Sequence, residues 1–195
     1  MQSHRRHGLK LALSKAWAAW VVGAALLATT NVQALEPPTG PVVLTIDGAI
    51  TQTNRGQQAQ FDMKMLEKLP QHSFSTQTPW YPSAVTFTGP LLRDVLAAVG
   101  AKGTKITAVA LNDYKTEIPA DDATRHDVIV ARLMNNRPMP IREKGPLFIV
   151  YPFDTKAELR SELYYNRAAW QLNALHIRYC LLYTSDAADD MQCVD

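Results

Sequence analysis

The sequence predicts an α+β domain with a mixed sheet. Short β-branched and apolar runs recur along its 195 residues, and only two or three segments carry helical periodicity. Strands and helices also fail to alternate as they would in a doubly wound parallel sheet.

Taken in order, residues 42–46 (VVLTI) form a β-branched strand candidate that ends at Asp47-Gly48, a turn signal. Asn54-Arg55-Gly56 is a second turn signal. Residues 61–70 (FDMKMLEKLP) read as a short helix with Asp62 as its N-cap and Pro70 as its stop. Short strands are expected at 73–76 and 85–88. The clearest helix spans 90–99 (PLLRDVLAAV), with Pro90 in its first turn, Gly100 beyond its end, and Leu91, Leu92, Val95, Leu96 and Val99 on one face.

In the second half, residues 105–111 (KITAVAL) predict a strand closed by the polar turn Asn112-Asp113-Tyr114. Asp121-Asp122 and the neighbouring His126-Asp127 read as a solvated loop. Residues 128–134 (VIVARLM) predict one strand, closed by Asn135-Asn136-Arg137-Pro138. Gly145-Pro146 introduces the apolar run 147–151 (LFIVY), suited to a buried strand, and 170–178 predicts the last one. Residues 152–169 are assigned no element.

The ends of the chain differ from this middle. Arg5, Arg6, Lys10 and Lys15 precede the apolar run 16–30 and the small-residue site Val32-Gln33-Ala34. That layout predicts a secretory signal peptide over residues 1–34 with cleavage after Ala34, and export to the periplasm. The apolar run falls short of the roughly 20 residues a membrane span needs. Arg5-Arg6-His7-Gly8-Leu9-Lys10 also resembles a twin-arginine signal, departing from it at Gly8. Residues 35–41 are a Pro-rich lead-in. Residues 180–190 (CLLYTSDAADD) resemble a common transposase sequencing adapter translated from its second base, so the tail 180–195 is set apart from the domain, 42–179, and is expected to add no regular core element.

Both cysteines, Cys180 and Cys193, fall in that tail, so the domain before it offers no thiolate. The signal removes four basic residues, and the tail removes four acidic ones (Asp186, Asp189, Asp190, Asp195), so the net charge of +2 survives. No run of Lys and Arg forms a patch, which speaks against nucleic acid as a partner. His72, His126 and His176 lack metal-pair spacing, and no phosphate loop, dinucleotide fingerprint or nucleophile elbow is present.

Four segments together carry a family resemblance: Phe87-Thr88-Gly89-Pro90-Leu91-Leu92-Arg93-Asp94-Val95-Leu96; Ala110-Leu111-Asn112-Asp113-Tyr114; Gly145-Pro146-Leu147-Phe148-Ile149-Val150-Tyr151-Pro152; and Trp170-Gln171-Leu172. In order and spacing they resemble the small periplasmic members of the oxidoreductase molybdopterin-binding domain family, which has the sulfite oxidase fold. The resemblance implies mixed sheets around a pterin-binding cleft, and molybdopterin as the cofactor. It places the metal-ligating cysteine of catalytic members near Thr76 or Gln77, neither of which can replace a soft thiolate.

The cleft residues it implies are Ser75, Thr76, Thr78, Trp80, Asn112, Asp113, Tyr114 and Arg142, with no metal ligand among them. Each has a plainer alternative. The hydroxyls suit a strand edge, Trp80 suits packing, residues 112–114 suit a turn, and Arg142 with Lys144 suits a solvated pair. Three functions stay open: a molybdopterin-dependent oxidoreductase with unusual metal ligation and a redox partner, a non-catalytic module that captures a small polar ligand or pterin and serves a membrane sensor, or a structural subunit.

The export assignment is checked by intact-mass measurement of periplasmic material. The expected mass is that of a chain starting at Leu35; residues 17–27 retained in a membrane fraction would contradict it.

Overall fold

The computed structural model describes residues 35–180 and 193–194. Its largest sheet has the order β2-β1-β11-β5-β6. These strands are β1 (Val42–Gly48), β2 (Ala59–Asp62), β5 (Lys105–Ala110), β6 (Lys115–Pro119) and β11 (Leu172–Cys180). β1 and β11 run parallel and the other pairs antiparallel, which makes the sheet mixed.

A second sheet, β3-β4-β8-β9, comprises β3 (Gln71–Thr76), β4 (Val85–Pro90), β8 (Leu133–Met134) and β9 (Arg137–Pro138). A third pairs β7 (Ile129–Ala131) with β10 (Phe148–Val150). Among the described residues four short α-helices accompany the sheets: α1 (Met63–Lys68), α2 (Leu92–Ala98), α3 (Asp122–Arg125) and α4 (Glu162–Arg167). None of the described helices is long and apolar enough to cross a membrane.

The core forms where the sheets face one another. Leu44 and Ile46 of β1, Ile106 and Ala108 of β5, and Leu175 and Ile177 of β11 are buried from one face of the large sheet. Phe87, Leu92, Val95, Ile129, Phe148 and Ile149 meet them from the other elements. Alternate residues along β1 are buried, as a strand with one covered face requires. Gly89 lets β4 approach β7, since a Cβ there would stand 2.0 Å from the Val130 carbonyl oxygen.

Several sequence expectations shift by a few residues for stated reasons. β1 pairs with β11 through Gly48, two residues further than expected, and the turn follows at once, with Gly48 at φ 88° and the Ile50 N–H donating to its carbonyl at 2.8 Å. Phe61 belongs to β2 opposite Leu44, and α1 starts only at Met63. Pro90 ends β4, and Leu91 bridges to Ile129 before α2 begins. The single strand expected at 128–134 breaks at Arg132, because β7 pairs with β10 while β8 pairs with β4.

The tail expectation falls mostly on residues outside those described. Of the described tail residues, β12 (Cys193–Val194) pairs antiparallel with Tyr179 and Cys180 at the end of β11. β11 runs past both its neighbours there, since β1 reaches only Ile177 and β5 only Arg178, and so it offers an unpaired edge.

Asp62 joins the lead-in to the domain. Its Oδ1 accepts from the Met65 backbone N–H at 2.9 Å, capping α1, and its Oδ2 accepts from the backbone N–H groups of Thr39 and Gly40, both at 2.8 Å. The Met65 hydrogen bond, helped by those from Gly40 and Thr39, outweighs the effect of burial and holds the carboxyl below its ordinary pKa. Because the folded pKa is depressed, Asp62 stabilises the fold above the unfolded value and loses that effect as pH falls through the folded one. Asp62→Ala is therefore expected to lower Tm by several degrees at neutral pH, with the gap to wild type closing as pH drops below about 4. Calorimetry across pH checks this; a constant gap would contradict it.

Candidate functional site

Trp80 follows β3 and stands edge-on to four aromatic rings. Centroid distances are 5.6 Å to Phe148, 6.2 Å to Phe153, 6.0 Å to Tyr165 and 5.5 Å to Trp170. T-shaped contacts of this kind set the negative ring faces against positive ring edges and hold the rings in fixed orientation. Trp80, Trp170, Tyr165 and Tyr114 line a pocket of about 300 Å³, together with Asn112 and Asn166.

The β5–β6 turn supplies Asn112 and Tyr114. Asp113 is left-handed at φ 63°, Asn112 Oδ1 accepts from the Tyr114 N–H at 3.2 Å, and Tyr114 Oη donates to the Asn166 carbonyl at 3.2 Å. The turn is thereby tied to the end of α4. Trp80, Asn112 and Tyr114, the first more than thirty positions from the others, meet at one pocket.

A second, more polar pocket of about 440 Å³ adjoins the first through Tyr165, which lines both. Gln77, Thr78, Asp154 and Arg160 face it. The Thr78 hydroxyl oxygen is buried with no hydrogen-bond partner. Thr76 is buried, its hydroxyl accepting from the Asp154 N–H at 3.2 Å and donating to the Gln77 carbonyl at 3.3 Å. The Gln77 N–H in turn donates to Asp154 Oδ2 at 2.7 Å.

Other sequence-derived candidates lie elsewhere. Ser75 is exposed on β3, Asp113 is exposed at its turn, and neither lines the two pockets. Arg142 is exposed in a 3₁₀ turn at Ile141–Glu143 and also lines neither. Lys144, two residues on, is the cation that reaches the aromatic cluster. Its Nζ stands 3.8 Å from the Trp170 ring centroid, 5.7 Å from that of Trp80 and 6.0 Å from that of Tyr81. Burial of its ammonium lowers its pKa. Gly145 lets the turn close against Met139, since a Cβ there would meet the Met139 carbonyl oxygen at 1.9 Å.

The loop expected at Asp121-Asp122 is only half correct. Asp121 is exposed, but Asp122 is buried, and its Oδ2 accepts from Tyr151 Oη at 2.8 Å and from the Arg167 guanidinium at 2.9 Å. His126, expected to be solvated, is also buried, with its ring edge-on to Tyr164 at 5.6 Å. Burial, reinforced by the Asp122 charge and hydrogen bond, drives the Tyr151 phenol far above its ordinary pKa, so it stays a donor. One signal in the sequence points here. Tyr151 closes an apolar run, and a buried phenol needs a hydrogen-bond partner. Arg167 and Tyr164 fix one side of α4 in this way, while Tyr165 and Asn166 of the same helix line the aromatic pocket.

A model of the oxidoreductase molybdopterin binding domain matches residues 42–155. The chain belongs to that family. Among solved structures it is similar to the sulfane dehydrogenase SoxCD from Paracoccus pantotrophus, at a TM-score of 0.53 and 19% identity. That match covers 70% of this chain but only 37% of the SoxCD chain, so the likeness is one of fold: mixed sheets with a few short helices, as in sulfite oxidase. No curated protein sequence matches the chain.

Molybdopterin is the group this family implies, and its metal is held through a cysteine thiolate in the catalytic members that this chain resembles. The donors at the corresponding place are the Thr76 hydroxyl, already engaged with Asp154, and the Gln77 amide. Neither is a soft ligand. Cys180 ends β11, whose other end lies beside the β5–β6 turn; the eight-residue separation from Leu172 amounts to about 26 Å of strand. No group of three metal-ligating side chains occurs among the described residues. The residues present do not fit a thiolate-bound molybdenum.

Removing one partner of a buried ion pair leaves the other charge uncompensated, so Asp122→Ala is expected to cost about 3 kcal/mol of stability. Tyr151→Phe, which removes only a hydrogen bond to the carboxylate, is expected to cost about 2 kcal/mol. Urea denaturation checks both; two variants as stable as wild type would show that the carboxylate does not anchor α4.

Proposed function

We propose that this chain is an exported binding module of the oxidoreductase molybdopterin-binding domain family, one that captures a small polar ligand in the aromatic cleft without the molybdenum-thiolate centre. The observation that carries the proposal is the hydrogen bonding at Thr76 and Gln77. Where catalytic members present a thiolate, this chain uses the Thr76 hydroxyl and the Gln77 backbone to hold the loop at Asp154. A group committed to backbone contacts on both sides is a structural element, and a hydroxyl in that place is a poor ligand for a soft metal site.

The cleft supports the binding half of the proposal. Its four rings supply apolar area in fixed orientation, and Asn112 and Asn166 supply polar contacts at the rim, the combination that small-molecule sites use for affinity and orientation. Tyr114 is half exposed, so it stands where the ligand enters, and its hydrogen bond to Asn166 sets the width of the mouth. The unpaired Thr78 hydroxyl and Arg160 give the adjoining chamber the means to receive a polar or anionic extension of the ligand. The basic, apolar and small-residue order of residues 1–34 supports export.

Elemental analysis of mature protein exported from a host that makes the cofactor tests the metal-free part. Molybdenum is expected far below one atom per chain. Stoichiometric molybdenum would overturn the proposal and return the chain to oxygen-atom or electron transfer.

A further inference from the structure

The polar chamber beside the aromatic pocket is lined by two opposite charges, Arg160 and Asp154, that do not pair with each other. Among the described residues the Arg160 guanidinium makes no hydrogen bond or ion pair. Asp154 has only its Oδ2 engaged, accepting from the Gln77 N–H at 2.7 Å. Both residues sit on anchored backbone. Asp154 is held by that contact and by its own N–H, which donates to the Thr76 hydroxyl at 3.2 Å. Arg160 closes a 3₁₀ turn (Ala157–Leu159) whose Leu159 is fully buried, and its N–H donates to the Ala157 carbonyl at 3.1 Å. The Thr78 hydroxyl in the same lining is buried without a partner, which costs free energy until a polar group meets it.

A ligand with a single charge would satisfy one of the two ionic groups and meet the other as a like charge. An α-amino-acid head group carries a carboxylate and an ammonium on one carbon and satisfies both. Its carboxylate accepts from the guanidinium fork of Arg160, and its ammonium donates to the free Oδ1 of Asp154. The position of the chamber also decides where the side chain goes. Tyr165 belongs to both linings, and Pro79 of the polar chamber is followed directly by Trp80 of the aromatic pocket. That pocket, of about 300 Å³, is lined by Trp80, Trp170, Tyr114 and Tyr165 and by no charged residue. It therefore suits one uncharged ring held by edge-on or offset contacts. We infer that the two chambers together bind a free aromatic α-amino acid, its head group between Arg160 and Asp154 and its ring among Trp80, Trp170, Tyr114 and Tyr165. This inference rests on the proposed binding function and names its ligand class.

The test titrates the processed protein with L-phenylalanine, L-alanine, N-acetyl-L-phenylalanine, which lacks the ammonium, and L-phenylalaninamide, which lacks the carboxylate. Binding is read by calorimetry and by fluorescence. Trp17 and Trp20 leave with the leader, and the remaining tryptophans, Trp80 and Trp170, both line the aromatic pocket. L-Phenylalanine is expected to bind about tenfold more tightly than each of the other three, the scale of one charged contact or of a partly buried ring. Arg160→Met is expected to weaken L-phenylalanine and its N-acetyl derivative about tenfold without weakening the amide. Asp154→Asn, which keeps an acceptor for the Gln77 N–H, is expected to weaken L-phenylalanine and the amide without weakening the N-acetyl derivative. The analogue each variant spares shows that the variant has folded. No binding of L-phenylalanine, equal affinity for L-alanine, or variants that weaken both derivatives alike would overturn the ligand class. Stoichiometric molybdenum would overturn the reading beneath it, and that measurement is independent of this titration.

Discussion

A single carboxylate oxygen, Oδ2 of Asp122, takes hydrogen bonds from Tyr151 and Arg167 inside the protein. Its partners come from the third sheet's β10 end and from the last turn of α4, 29 and 45 residues away. α4 needs this contact. It is only six residues long, too short to be stable on propensity alone, and Leu163, its one aliphatic side chain, is exposed. Arg167 and Tyr164 hold it against α3 and Tyr151, and that leaves Tyr165 and Asn166 to line the cleft. The buried acid thus fixes a wall of the aromatic pocket without lining it.

The opposite wall depends on Trp80. Its four edge-on contacts gather rings from the Phe148–Phe153 segment, from α4 and from the entry to β11. These contacts explain how a segment without regular structure, residues 77–84, holds Trp80 in the wall of the pocket. Lys144 adds charge to the same cluster from behind Trp170, held by the left-handed conformation at φ 74° and by the Gln171 N–H donating to its carbonyl. Rings and amides therefore define the cleft, with Lys144 packed against Trp170 outside its lining.

Much of the fold is legible in the sequence, because local signals and tertiary packing agree there. Asp62 reads as a cap and is one; residues 92–98 show the apolar face that packs into the core; the Asn-Asp-Tyr turn joins β5 to β6 as expected. The cleft is less legible. Trp80, Asn112 and Tyr114 come forward through the family resemblance, but periodicity cannot show that they converge. α4 has no apolar stripe to reveal it, because its stability comes from an ion pair and ring contacts made at a distance. Asp122 reads as solvated for a similar reason: an acid is buried only if a partner meets it, and Arg167 lies in a segment that carries no pattern of its own. Arg142 and Lys144 differ in a way no local pattern shows: the 3₁₀ turn leaves Arg142 exposed, as the solvated reading has it, while Lys144 reaches the rings.

The place that the family resemblance gives the thiolate is occupied by contacts of this chain's own. If the thiolate alone were missing, the loop after β3 would be expected to keep a gap at that place. Instead, Thr76 is buried and its hydroxyl spans Asp154 and Gln77, so the loop is closed by hydrogen bonds of its own. Restoring a cysteine there would remove the acceptor of the Asp154 N–H as well as supply a thiol, because sulfur is a weak acceptor. The polar chamber at Thr78 and the aromatic pocket at Trp80 stay open beside this closed loop, which is the geometry that the proposed binding role requires.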